Sequence, residues 1–253
     1  VEIAGGYLLL GRLPVVVIVW MYFHASEGVL VEEISRSLST IADQKTARVE
    51  AFARDRMQMA ATLSFTPTVL EALEALRRDP DAAAFRPLLS RYGESAGARD
   101  LLLLSAEGEI LFALSRHDLV GSVLTEPRHR GTLLANIFER TRTLLETEIS
   151  DFAALAPGGR PTSFAAAPVI KDGGLLGIVL LEVDQAALFD IVADTAALGR
   201  TGETMVGARA APGRIEIQGP LRLAPAGADL HGLDSDSAMG PPRERALRGE
   251  RGV

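Results

Sequence analysis

Between Leu13 and Phe23 no charged side chain interrupts the chain, a run of 11 residues. That is short of the roughly 20 apolar residues that cross a bilayer. Extended back to Ala4 the run is long enough, with Arg12 near its middle, and Tyr7, Trp20 and Tyr22 stand near its ends as interfacial aromatics do. The pattern predicts a transmembrane helix within residues 1–25, Arg12 reaching to the cytoplasmic face and Glu27, Glu32 and Glu33 lying outside. A buried core helix and a signal peptide are the competing readings.

A second rhythm follows. From Ser26 to Phe65 there is no proline, and apolar residues recur at Leu30, Ile34, Leu38, Ile41, Val49, Phe52, Met59 and Leu63. Steps of three, four or about seven put them on one stripe of a helix. Residues 26–65 are therefore expected to form one stalk helix of about 60 Å at roughly 1.5 Å per residue. Thr66-Pro67 reads as the cap and first turn of the next helix, 68–78, and a third is expected through 82–92, kinked or broken at Pro87.

The period then changes. Residues 100–114 read as strand, turn, strand, with Glu107-Gly108 at the bend. Residues 128–141 read as a helix, 144–155 and 161–170 as strands, Lys171–Gly174 as a hairpin turn, 175–183 as a strand and 185–198 as a helix. The fold class is α+β, with a late antiparallel meander of three strands. Beyond Met205 only strand fragments remain, in a stretch rich in Gly, Pro and Asp.

Composition narrows the chemistry. The 253 residues are 47% hydrophobic but only 5% aromatic, so the core is built from Leu, Val, Ile and Ala. A net charge of −7, with no basic run, argues against a nucleic-acid partner. The absence of cysteine removes disulfides, thiolate metal sites and a Cys nucleophile. His24, His117, His129 and His231 have no second histidine at metal-ligand spacing. No catalytic residue, metal or cofactor is expected within these residues. "LGRTGETMVG" (198–207) has the glycines of a phosphate loop, but Glu203 and Thr204 follow Gly202 where Lys and Ser/Thr belong. A carboxylate there repels phosphate, so the stretch reads as a joint, with a helix end at Leu198-Gly199 and a short strand at Thr204–Val206.

A membrane helix, a stalk, "APV…DGGLLGIVLLEV" (167–183) and then "LGRTGETMVG" together resemble the double Cache sensor domain. That resemblance implies a PAS-like, membrane-distal module over 66–198 and the start of a truncated, membrane-proximal PAS-like module over 199–253, joined at 198–207. It implies the periplasmic sensing region of a histidine kinase, nucleotide cyclase or chemoreceptor in a bacterial inner membrane. The output domain, a kinase or cyclase in some members, would lie beyond these residues. Partners implied are a small-molecule ligand, the membrane and a second copy paired through the stalk. The chain departs from amino-acid-binding members: Ala153 and Leu155 stand where a Tyr and an Asp align, and no Trp follows Trp20. Glu182 aligns with the family's amine-binding acid. A membrane-anchored enzyme or an assembly domain are the alternative functions.

Candidate ligand contacts are Arg128 and Arg130, a positive pair around His129 that favours an organic acid, with Asp151, Phe164 and Glu182 on strands expected to border a cavity. Each of them has a plainer reading as a surface charge or a core side chain. "RHD" (116–118) reads as strand residues pointing to opposite faces.

Overall fold

The computed structural model describes residues 2–79, 83–155, 161–183, 185–195, 198–200, 202–211, 214–217 and 245; of residues 2–31, only Val17, Trp20 and Met21 are described beyond the backbone. The first element is a single helix, α1 (Glu2–Ser64), 63 residues long. At roughly 1.5 Å per residue it spans about 95 Å. The expected membrane helix and stalk are thus one uninterrupted element, with no boundary near residue 25. Among the described residues no helix is long and apolar enough to cross a membrane. Most side chains of the 7–25 run lie outside that description.

α1 stops where Pro67 approaches, since proline offers no N–H to continue the ladder. α2 (Pro67–Arg78) begins there, with Thr66 in the extended conformation of a cap. The Thr66 hydroxyl, however, donates to the Leu63 carbonyl at 2.8 Å, so it closes α1 rather than opening α2. Pro87 breaks nothing: it sits in the first turn of α3 (Arg86–Ser95), after a 3-10 turn at Ala83–Phe85. That is the helical position where a missing N–H costs least.

The sheet is built from β1 (Leu101–Ser105), β2 (Ile110–Ala113), β3 (Glu148–Ile149), β4 (Ala153–Ala154), β5 (Pro161–Lys171) and β6 (Gly174–Val183). Its order is β2-β1-β6-β5-β3, with β4 also on β5, and every pairing is antiparallel. The expected meander is present, and β1 inserts beside β6 to extend it. Asp172 and Gly173 form the β5–β6 turn, both with positive φ, which matches the twist of the hairpin.

Both faces of the sheet are covered, which is why β1 reads as an unbroken run of leucines. Leu101, Leu103, Ala165, Ala167, Val179 and Leu181 pack toward α1, α2 and α3. Leu102, Leu104, Phe164, Ala166, Ile178 and Leu180 face the other way, onto Ile137 and Phe138 of α4 (Leu133–Leu144). The residues of each set alternate along the strands with a period of two.

Several expected boundaries move. The helix expected at 128–141 starts at Leu133, because Thr132 is its cap, accepting from the Ala135 amide at 3.3 Å; a 3-10 turn occupies Pro127–His129. The strand expected over 144–155 is only the two short pieces β3 and β4, since both must share β5 at different registers. Residues 116–118 are not strand; His117–Leu119 is a 3-10 turn. α5 (Gln185–Ala193) is shorter than the 185–198 expected. The strand expected at Thr204–Val206 lies one step later, as β7 (Gly207–Ala211) paired with β8 (Arg214–Ile217). Most of the expected second module over 199–253 falls outside the described residues.

Candidate functional site

Three strand ends meet on the α4 face of the sheet. Asp100 directly precedes β1 and Glu182 is near the end of β6; the two are backbone neighbours, the Glu182 amide donating to the Asp100 carbonyl at 2.9 Å. Even-numbered positions of β5 and β6 point to this face, so Phe164 and Thr162 join them, Phe164 being the register partner of Glu182. Asp100 is 0% exposed and Glu182 7%. Two buried carboxylates this close need a cation.

Arg116 supplies it from the loop after β2. Its Nη1 donates to Glu182 Oε2 at 2.5 Å and to Asp100 Oδ2 at 3.3 Å, and its guanidinium lies 5.9 Å from the centre of the Phe164 ring. The remaining acceptor sites are used. The Leu101 and Ser115 amides both donate to Asp100 Oδ1 at 2.9 Å, the Arg116 amide to Oδ2 at 3.2 Å, and the Thr162 hydroxyl to Glu182 Oε1 at 2.8 Å. Burial by itself would push the guanidinium's pKa down, but its bonds to Glu182 and Asp100 and their charges outweigh burial and raise it. The network locks the 115–116 loop onto the sheet.

Beside this network is a pocket of about 360 Å³. Ile110, Leu119, Leu124, Leu134 and Leu155 form its apolar wall; Arg116, Asp118, Ser122, His129 and Thr132 supply its polar groups. A mostly apolar cavity with a few convergent polar groups is the usual form of a small-molecule site. His129 Nε2 is buried with no hydrogen-bond partner among the described residues.

A second polar constellation ties α1 to the end of α5 and the residues after it. Lys45 Nζ donates to the Val192 carbonyl at 2.7 Å, the Asp194 carbonyl at 2.6 Å and the Thr204 hydroxyl at 2.7 Å. Arg48 adds a 3.4 Å bridge to the Asp194 carboxylate. Burial pushes the Lys45 ammonium's pKa down, Asp194 opposes the shift and Arg48 reinforces it. One side chain of the long helix thus holds both the end of α5 and Thr204 beyond it.

This arrangement can be set against solved structures. The chain is similar to the ligand-binding domain of the Pseudomonas fluorescens chemoreceptor CtaA, crystallised with L-isoleucine: TM-score 0.50 and 15% identity, over 83% of this chain and 76% of that one. The chain has the fold of that ligand-binding domain. At that identity the likeness is one of fold alone. Lower scores join it to the sensor domain of the V. cholerae histidine kinase DctB (TM-score 0.48, 14% identity, 76% of this chain and 88% of that one). The E. coli DcuS sensor domain follows at 0.44 and 9%, over 58% and 98%. No protein family and no curated protein matches the chain by sequence.

Within the sensor-domain fold, the residues singled out from sequence separate. Phe164 and Glu182 come together around Arg116, the one member of that network that lines the pocket. Glu182 does not point to solvent as a lone charge on a strand would; it is buried and paired. Arg128 and Arg130 are exposed, and Arg128 pairs with Glu126 at 2.7 Å. Asp151 is exposed beyond the end of β3. The residue between the two arginines, His129, is the one that lines the pocket. Sequence reasoning missed Asp100 and Arg116. Their only local signal was a charge immediately before an apolar strand and another three residues after the end of its partner.

Proposed function

We propose that the chain is the periplasmic sensing region of a bacterial transmembrane signal transducer, of the histidine kinase, cyclase or chemoreceptor type. The observation that carries this reading is the pocket walled by Arg116, His129 and Leu155 on a sensor-domain fold. In this reading 66–198 is the membrane-distal module, 199–253 begins the membrane-proximal one, and residues 1–25 cross the inner membrane. The occupant is a small molecule of largely apolar body. Glu182 and Phe164 act on it through Arg116, while Arg128 and Arg130 flank His129 in the chain and, like Asp151, stand outside the lining.

Signal transfer follows from what the pocket and α1 share. Both press on the same sheet, the pocket from the α4 side and α1 from the other. A ligand that favours one packing of the sheet therefore biases the position of α1, and about 1–3 kcal/mol of such coupling shifts a two-state equilibrium 5- to 150-fold. Ile34 and Leu38 are 50% and 42% exposed on α1, an apolar stripe suited to pairing with the same helix of a second copy. Support for small-molecule sensing also comes from the isoleucine bound by the CtaA domain.

The test is a thermal-shift screen of small metabolites, repeated on Leu155→Trp, which fills the pocket, and on Arg128→Ala and Asp151→Ala. A stabilising compound whose effect disappears in Leu155→Trp is expected. A compound that stabilises Leu155→Trp as well as the parent would place the site elsewhere, and an inert screen would count against sensing.

A further inference from the structure

Resting on that reading, we propose that the pocket takes a cation: a small molecule with an apolar body and a protonated amine at one end. The charges around the cavity decide this. Arg116 is the one arginine or lysine among the lining residues, and its guanidinium is already held between Asp100 and Glu182. Nη1 is spent on those two carboxylates, which together outweigh the guanidinium, so a ligand carboxylate at its remaining N–H donors would enter a locally negative field. That is a cost an anionic ligand would have to overcome before gaining anything.

Asp118 points to the opposite sign. It lines the pocket from the 3-10 turn after β2 and has no ion-pair partner among the described residues. Asp100, Glu182 and the exposed Asp118 together outnumber the one guanidinium of Arg116, and the surplus is negative. A cation entering the pocket moves toward charge balance, whereas an anion moves away from it.

His129 supplies the second contact. Its Nε2 lines a cavity, is buried and lacks a partner. In the tautomer with the proton on Nδ1, Nε2 is an acceptor waiting for an N–H. A protonated amine has donors for both Asp118 and His129, and the leucine-rich wall holds the rest of the molecule. The exposed Arg128 and Arg130, which on sequence alone favour an organic acid, are not among the lining residues.

Isothermal titration on the full chain with charge-matched sets tests the assignment: isoamylamine, isocaproate and isoamyl alcohol, then phenethylamine, hydrocinnamate and phenethyl alcohol. At least one amine is expected to bind about tenfold tighter than its acid and alcohol counterparts. Asp118→Asn should weaken that amine about tenfold, and Leu155→Trp should abolish it. An acid or alcohol that binds as well as its amine overturns the charge assignment, as does an amine indifferent to Asp118→Asn. If none of the six binds while a metabolite hit is lost in Leu155→Trp, the cation class fails and the pocket stands. If the metabolite screen is also inert, both readings fail together.

Discussion

Replacing Lys45 with methionine keeps the length and apolar stem of the side chain and deletes its three donors. Two of the acceptors are carbonyls at the end of α5, among the groups a helix terminus leaves without internal partners. The direction of the Lys45 shift sets how each bond is to be valued. Its folded-state pKa lies below the ordinary lysine value, so the unfolded chain holds this proton more tightly. Stability through Lys45 therefore rises as pH climbs from the folded toward the unfolded pKa. The positive charge itself adds no net stability, and the bonds count as ordinary ones of about 1 kcal/mol each. Water reaches the exposed Asp194 carbonyl once the ammonium is gone, which leaves a loss of about 2 kcal/mol. The loss is local, because α5 has only 9 residues and a helix that short does not hold alone. At about 1.4 kcal/mol per tenfold, opening of the 185–206 segment should become about 30 times more frequent. Hydrogen exchange read by mass spectrometry checks this: peptides covering 185–206 should lose protection by that factor while β6 keeps its own. Equal loss in β6 would mean global destabilisation, and unchanged exchange at 185–206 would mean the bonds hold nothing; either refutes the reasoning.

Two further substitutions test the packing. A Cβ on Gly177 would stand 2.2 Å from the Leu104 carbonyl and 3.1 Å from Leu73, so Gly177→Ala should separate β6 from β1 and cost about 3 kcal/mol or more in urea denaturation; a loss under 1 kcal/mol would show that the strands yield. Leu145 closes α4 in the left-handed region with φ 54 and is 49% exposed. Leu145→Gly should therefore raise stability by up to about 1 kcal/mol in the same assay, and a decrease would show that its side chain holds more than its backbone costs.

How much of this was legible beforehand depends on the range of the interaction that decides each feature. Helices α1 and α2, the β5–β6 hairpin and the α+β class follow from local periods and from Asp172-Gly173, since residues two to four apart share a face whatever the rest of the chain does. The continuity of α1 was harder to read, because the apolar block and the amphipathic stripe look like two elements although nothing between them breaks a helix. Strand order was not legible: β1 joins β6 across more than seventy residues, and runs such as Leu101–Leu104 pair equally well in several registers until the helices cover both faces. The site was hidden for the same reason. Glu182 on an apolar strand looks like a solvent-facing charge until the register sets it beside Asp100, and Arg116 looks like a loop cation until that loop folds back over both. A charge in the sequence carries its sign but not its neighbours, and burial, which makes those neighbours decisive, exists only once the sheet has closed under α4.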